Sequence, residues 1–155
     1  MVKRTSFKDA ACPIARSLDE IGDWWSLLIV RDAFLGVRRF GDFQRSLGMA
    51  KNILAARLRT LVAHRILETR PASDGSAYQE YRLTEKGRGL YTVIVALRQW
   101  GEASCFDDGP CTLALVDRQN SRPVRSLELR SDDGRLLGPR DTLLRNASEG
   151  KAASA

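Results

Sequence analysis

No run of apolar residues in this 155-residue chain reaches the ~18–20 needed to cross a bilayer. The opening stretch MVKRTSFKDAACP carries charge with no long apolar core behind it, which argues against a secretory signal peptide. There are only three cysteines, an odd number, so a framework of paired extracellular disulfides is not expected. A reducing, cytoplasmic setting follows, here nucleoid-associated if the partner is DNA. Histidine is nearly absent: His64 stands alone. Cys105 and Cys111, with no histidine near them, do not make a four-ligand zinc site, so no metal and no cofactor are expected. No glycine-rich phosphate loop, Ser-His-acid set or pair of carboxylates placed for catalysis is visible, and Asp132-Asp133 reads as a turn. The sequence advertises no enzyme.

What is present is positive charge, unevenly placed. The formal net charge is +6. Up to Ser104 there are 17 Lys and Arg against 11 Asp and Glu; from Cys105 onward there are 8 against 8. The whole excess therefore lies in the first two thirds. Its densest part is Val37–Leu61, VRRFGDFQRSLGMAKNILAARLRTL, where Arg38, Arg39, Arg45, Lys51, Arg57 and Arg59 face one acid, Asp42. Such a cluster on a helix pair marks a surface that meets phosphates.

The periodicity gives the frame. Cys12-Pro13 opens a first helix, because proline suits the first helical position, and Gly22 closes it. Ile14, Ala15, Leu18 and Ile21 repeat along it at helical spacing. A second helix runs from about Asp23 to Phe34, and Phe40 to Leu47 forms a short third that Gly48 breaks. The fourth spans about Ala50 to His64. Leu54, Leu58, Leu61 and Val62 form its buried stripe; Lys51, Asn52, Ala55, Ala56 and Arg59 form its outer face. That face is small, polar and cationic, which suits a major groove. A strand at 66–70, a turn holding Ser73-Asp74-Gly75-Ser76 and a strand at 78–83 make a β-hairpin, a wing. One long helix is then expected from Thr84 to Gly101. Leu90, Val93, Ile94, Leu97 and Trp100 lie along one stripe of it, broader than a small domain covers. Together with Ile14 and Leu18 of the first helix it is assigned to a homodimer interface.

From Cys105 the texture changes. Short strands are expected at 112–116 and 124–129, and 146–155 is small and polar, read as a disordered tail. The expected domains are 1–104, a winged helix-turn-helix with dimerisation helices; 105–145, a small β-rich extension; and 146–155, the tail. The fold class is α+β, mostly α. Trp24, Trp25 and Trp100 are read as core packing rather than a ligand pocket, and His64 as a solvated residue at a helix end. Double-stranded DNA is the expected partner. The rival is a winged-helix protein-interaction module, since the fold is reused for that purpose. Exposed aromatics on the fourth helix would mark it; Lys51, Arg57 and Arg59 stand there instead.

The segment CPIARSLDEIGDWWSLLIVRDAFLGVRRFGDFQRSLG, followed by MAKNILAARLRTLVAHRILE, YRLTEKG and LRQWG, resembles the HxlR family of bacterial winged helix-turn-helix regulators in one register from about Cys12 to Gly101. The resemblance implies a dimeric DNA-binding regulator on inverted-repeat operators, more often a repressor than an activator. Ala50 to Arg59 correspond to its recognition helix and Ser73 to Ala77 to its wing tip, with Ser73 and Ser76 as DNA contacts. Serine often stands in the family where this chain has Ala50, and hydroxyl or amide residues where it has Ala55 and Ala56. The family's wing prolines are missing. The extension resembles a tail found in part of the family, without the paired cysteines some relatives carry there. Cys12 aligns with a cysteine that senses oxidants or electrophiles in some members, so an oxidant or small-molecule inducer is implied. Its place at a helix N-terminus, with Arg16 one turn on, fits such a thiol.

Overall fold

The computed structural model describes residues 6–106, 109, 111 and 113–145. They fall into two compact units that divide between Leu97 and Arg98. The first unit is built from α1 (Pro13–Ile21), α2 (Trp24–Phe34), α3 (Phe40–Leu47), α4 (Lys51–Ala63), β1 (Leu67–Pro71), β2 (Gln79–Leu83) and α5 (Glu85–Arg88), and α6 (Tyr91–Ser104) runs on into the second.

Local signals place most of these boundaries. Pro13 sits at the start of α1, with Cys12 extended before it and Gly22 after its last residue. Asp23 caps α2 by accepting a hydrogen bond from the Ser26 amide at 3.0 Å. Gly48, at φ 64°, takes the left-handed conformation that stops α3 and turns the chain into α4. β1 and β2 pair antiparallel, with Leu67 opposite Leu83 and Pro71 opposite Gln79.

The core forms where these elements meet. Ile29 and Val30 of α2, Phe43 of α3 and Leu54, Leu58 and Leu61 of α4 are fully buried, and Ile66 and Leu67 close the hairpin end. Val62 is only half-buried against this cluster. Trp25 packs on it too, but Trp24 and Trp100 do not: they are 70% and 64% exposed. The expectation that all three tryptophans pack inward is corrected for those two.

The long helix expected from Thr84 to Gly101 is two helices. The Thr84 hydroxyl caps the first, accepting from the Gly87 amide at 3.1 Å. Gly87 and Gly89 then fall within three residues, and each lowers helical preference by roughly 1 kcal/mol. A Cβ on Gly87 would lie 2.1 Å from the Ile66 carbonyl oxygen, so the short α5 is pressed against the chain entering β1. The chain restarts at Tyr91 and passes through Gly101 to Ser104. One interior glycine costs too little to end a helix already formed. Along α6, Val95 is buried and Ile94, with Leu90 just before the helix, packs on the unit's own core, while Val93 and Leu97 are exposed.

The second unit is thinner in β-structure than expected. Its described residues hold two isolated bridges, Val116 with Pro123 and Arg130 with Leu136, and no continuous strand. The strand expected at 124–129 finds no partner strand among the described residues. Thr112 and the tail at 146–155 lie outside those residues.

Ala50 precedes α4 in N-cap conformation, φ −63° and ψ 139°, without a side chain able to cap. Ala50→Ser therefore supplies an acceptor for the first-turn amides and is expected to stabilise the protein by about 1 kcal/mol. Urea denaturation checks this; an unchanged midpoint would show that the serine does not reach those amides.

Candidate nucleic-acid interface

The buried stripe of α4 fixes what its other side presents. With Leu54, Leu58 and Leu61 inside, helical geometry turns Lys51, Asn52 and Arg59 outward, and all three are exposed. Ala55 and Ala56 are half-buried between them. Among the described residues no ion pair involves Lys51 or Arg59, so both cations stand free for an external anion. Ile53, which the sequence reading passed over, is 41% exposed on the same first turn. An apolar side chain there can contact a thymine methyl.

The remaining expected cations divide by location. Arg57 is not on the outer face: its Nε lies 3.2 Å from Asp23 Oδ1, so it ties α4 to the cap of α2. Nothing in the spacing of α4 signalled that partner, because it is 34 positions away along the chain. Arg45 is 80% exposed at its side chain and pairs with Asp42 at 3.2 Å. Arg38 has its side chain 47% exposed, and its carbonyl accepts the Tyr81 amide at 2.8 Å, which docks the turn before α3 on the edge of β2.

Arg39 reaches further. Its guanidinium donates to Asp74 in the wing turn and stands 5.9 Å from the Tyr78 ring centroid. Asp74 also accepts the Ser76 amide at 3.1 Å. Ser76 and then the Arg39 guanidinium hold the Asp74 carboxyl far below the usual aspartate range. At the base of the turn the buried Glu80 gathers Arg82 at 2.9 Å, the Ser73 hydroxyl at 2.9 Å and the Ser73 amide at 3.2 Å. Arg82 first, and Ser73 after it, lower the Glu80 carboxyl below its ordinary value. The wing tip is thus closed by its own carboxylates. Ser73 is exposed and Ser76 half-buried, both engaged within the turn. The two wing residues expected to meet DNA also hold the wing's shape.

The residues expected in a dimer contact are partly brought together. Ile14, Leu18, Leu90 and Val93 line one open apolar groove with Pro13 and Ile66. Ile14 is 70% exposed. Leu97 and Trp100 are exposed further along α6, and Ile94 is turned toward its own core. Cys12 is exposed at the N-cap of α1, and the Arg16 Nε donates back to the Ala10 carbonyl. His64 closes α4 half-buried, its Nδ1 3.9 Å from Glu20 Oε2. Among the described residues no group of three or more metal-ligating side chains occurs, and no helix is long and apolar enough to cross a membrane.

A helix pair joined by a glycine turn, with its second helix outward-facing and cationic and a closed hairpin beside it, defines a winged helix-turn-helix, a DNA-binding class. The chain belongs to the HxlR-like helix-turn-helix family, which its residues 20–108 match. An uncharacterized HTH-type transcriptional regulator of Mycobacterium tuberculosis is 47% identical over 89 residues, 57% of this chain and 56% of that relative, so the match spans little more than half of the relative's length. The crystal structure of PA1607, described as a candidate transcription factor, is 55% identical with a TM-score of 0.87 and covers 91% of this chain and 99% of that one. That likeness extends past the winged helix into the second unit. The redox regulator HypR in its reduced form is 30% identical with a TM-score of 0.54, covering 59% of this chain and 92% of that one. By family the chain is a helix-turn-helix protein, and the relatives it matches are named as transcriptional regulators.

The wing contacts carry a pH dependence. A carboxyl whose native pKa is lowered contributes stability above its unfolded value, here 3.8, and loses it only as pH falls through the lowered native value. Amide exchange at Gly75 and Ser76 is therefore expected to stay slow relative to a free peptide at pH 4. Arg39→Ala should speed it there. Equal exchange in both proteins would mean that Arg39 does not brace the wing.

Proposed function

We propose that the chain acts as a homodimeric repressor that sets two copies of α4 into successive major grooves of an inverted-repeat operator. The observation that carries the reading is the outer face of α4, where Lys51, Asn52 and Arg59 stand exposed on a helix anchored by three fully buried leucines. Lys51 and Asn52, on the first turn, point at base edges, with Ala55 and Ala56 letting the helix approach closely. Arg59, with Arg38 at the neighbouring turn, meets phosphate, and Ser73 and Ser76 approach the backbone from the wing. Arg57 and Arg39 act one step back, holding α4 and the wing in position. A twofold dimer places its half-sites about one helical turn, ~10 bp, or a multiple of it apart. The groove of Ile14, Leu18, Leu90 and Val93, with Leu97 and Trp100 beyond it, supplies the dimer contact. Residues 1–104 carry the DNA-binding activity and 105–145 form an extension to it.

A gel shift with the DNA upstream of the chain's own gene, titrated with salt, tests this reading. Binding should weaken linearly in log–log form as counterions are displaced. Arg59→Ala is expected to lower affinity for all sequences and reduce the salt slope by about 1. Asn52→Ala should change the selected consensus, since a good base contact discriminates by ~1–3 kcal/mol. No shift at low salt would favour the protein-interaction module, and an unchanged consensus would remove Asn52 as a reader.

A thiol-gated release of DNA is favoured by one specific observation, the exposure of Cys12 at the start of α1, beside the dimer groove. Its likeness to HypR supports the same reading. Oxidation would join Cys12 to a second thiol, each losing a proton and an electron to the oxidant. The spacing of the two recognition helices would then shift. Diamide is expected to release DNA from the wild type and not from Cys12→Ser; equal release from both would exclude Cys12.

A further inference from the structure

The second unit is braced from within by hydrogen bonds, yet it has no buried core among its described residues. Among its described residues from 105 to 145 none is buried. Its backbone is nevertheless fixed. The Gln99 side chain of α6 donates to the Arg125 carbonyl at 3.0 Å and accepts the Leu127 amide at 2.8 Å, a two-pronged clamp. Arg98 donates to the Leu113 carbonyl. Turns are closed by the Val124 amide on the Leu115 carbonyl at 2.9 Å and the Leu137 amide on the Leu129 carbonyl at 2.8 Å. These polar contacts set the path of the chain and leave its large apolar side chains outward. Leu113 is 72% exposed, Leu129 60%, Leu136 61% and Leu143 70%, with Val116, Val124 and Leu127 each above 40%.

Ordering a stretch of chain costs conformational entropy that hydrogen bonds exchanged with water offset poorly. An apolar surface without a core is stable in that form only when something covers it. We infer that residues 113–144 form an interface with a second copy of this chain, so that the extension is a dimerisation element in its own right. This rests on the proposed homodimer and names a part of it beyond the terminal helices.

Three observations select a second copy over other partners. From Cys105 onward cations and anions balance, 8 against 8, so the stretch attracts neither DNA nor an anionic membrane. The same chain offers further exposed apolar side chains at Ile14, Leu18, Val93 and Leu97, and a copy brings them at equal concentration. A standard interface takes about 800 Å² from each partner. Toward that requirement, the eight exposed aliphatic side chains between Leu113 and Leu144 add to the apolar surface of the groove beside α1. The likeness to PA1607 over 91% of this chain shows that the extension is shared with a solved relative.

Sedimentation equilibrium of the full chain tests the inference. The wild type should be a dimer. Leu127→Asp with Leu129→Asp would bury unpaired carboxylates in the contact and should raise the dissociation constant at least ~100-fold. Far-ultraviolet circular dichroism should be unchanged, because both side chains are exposed within one chain. A dimer of unchanged affinity in this variant would overturn the inference and leave the homodimer standing, which Val93→Glu with Leu97→Glu would then break. A wild type that is monomeric throughout would overturn both. In amide exchange of the wild type, residues 113–137 should become slower as protein concentration rises through the dissociation constant. Exchange there that ignores concentration, in a protein that does dimerise, would also overturn it.

Discussion

The packing of α4 on α2 and α3 is the constraint on which the rest depends. Leu54, Leu58 and Leu61 are removed from water against Ile29, Val30 and Phe43. Fully burying a leucine is worth about 1.5–3 kcal/mol, and truncating one to alanine in a core costs about 2–5 kcal/mol. The ion pair of Arg57 with Asp23 joins the same two helices, but a partly exposed pair of this kind contributes at most about 1 kcal/mol. Apolar burial therefore fixes the rotation of α4. The pair refines it. The face turned to solvent is a consequence of that rotation, since a helix with one side committed has no freedom in what it shows on the other.

The wing is governed by a different balance. It is a two-stranded hairpin, too small to be stable alone. Leu67, Tyr81 and Leu83 attach one face of it to the core. Its tip is closed electrostatically, by Asp74 with Arg39 and by Glu80 with Arg82 and Ser73. This places arginines of the cationic cluster in two roles. Arg59 and Lys51 keep their charge for an external anion, while Arg39 and Arg57 spend theirs inside the fold. Counting cations along the sequence overstates the number available to phosphate for that reason.

The two units illustrate opposite uses of apolar residues. In the first, a cluster of buried side chains makes a core and leaves a limited groove beside α1 exposed. In the second, polar clamps from Gln99 and Arg98 set the backbone and the aliphatic side chains stay outside. Val124, Leu127 and Leu129 give the stretch 124–129 the composition of a short strand, which is the same whether such side chains face a core or solvent. Only a neighbouring strand turns the pattern into a sheet, and here two isolated bridges take its place.

Much of the first unit was legible in the chain because its signals are local. Pro13 and Gly22 bound α1, Gly48 forces the turn between α3 and α4, and the leucine spacing of α4 orients its outer face. These depend on φ preferences, missing amide donors and helical period, which act within a few residues. The tertiary structure alone decided that Arg57 faces Asp23, that Arg39 reaches Asp74, and that Gly87 lies against the Ile66 carbonyl. Each is a contact between residues distant in sequence, chosen by where the core holds their backbones. Spacing carries no record of such a partner, so the role of each charged side chain became readable only once the helices were in place.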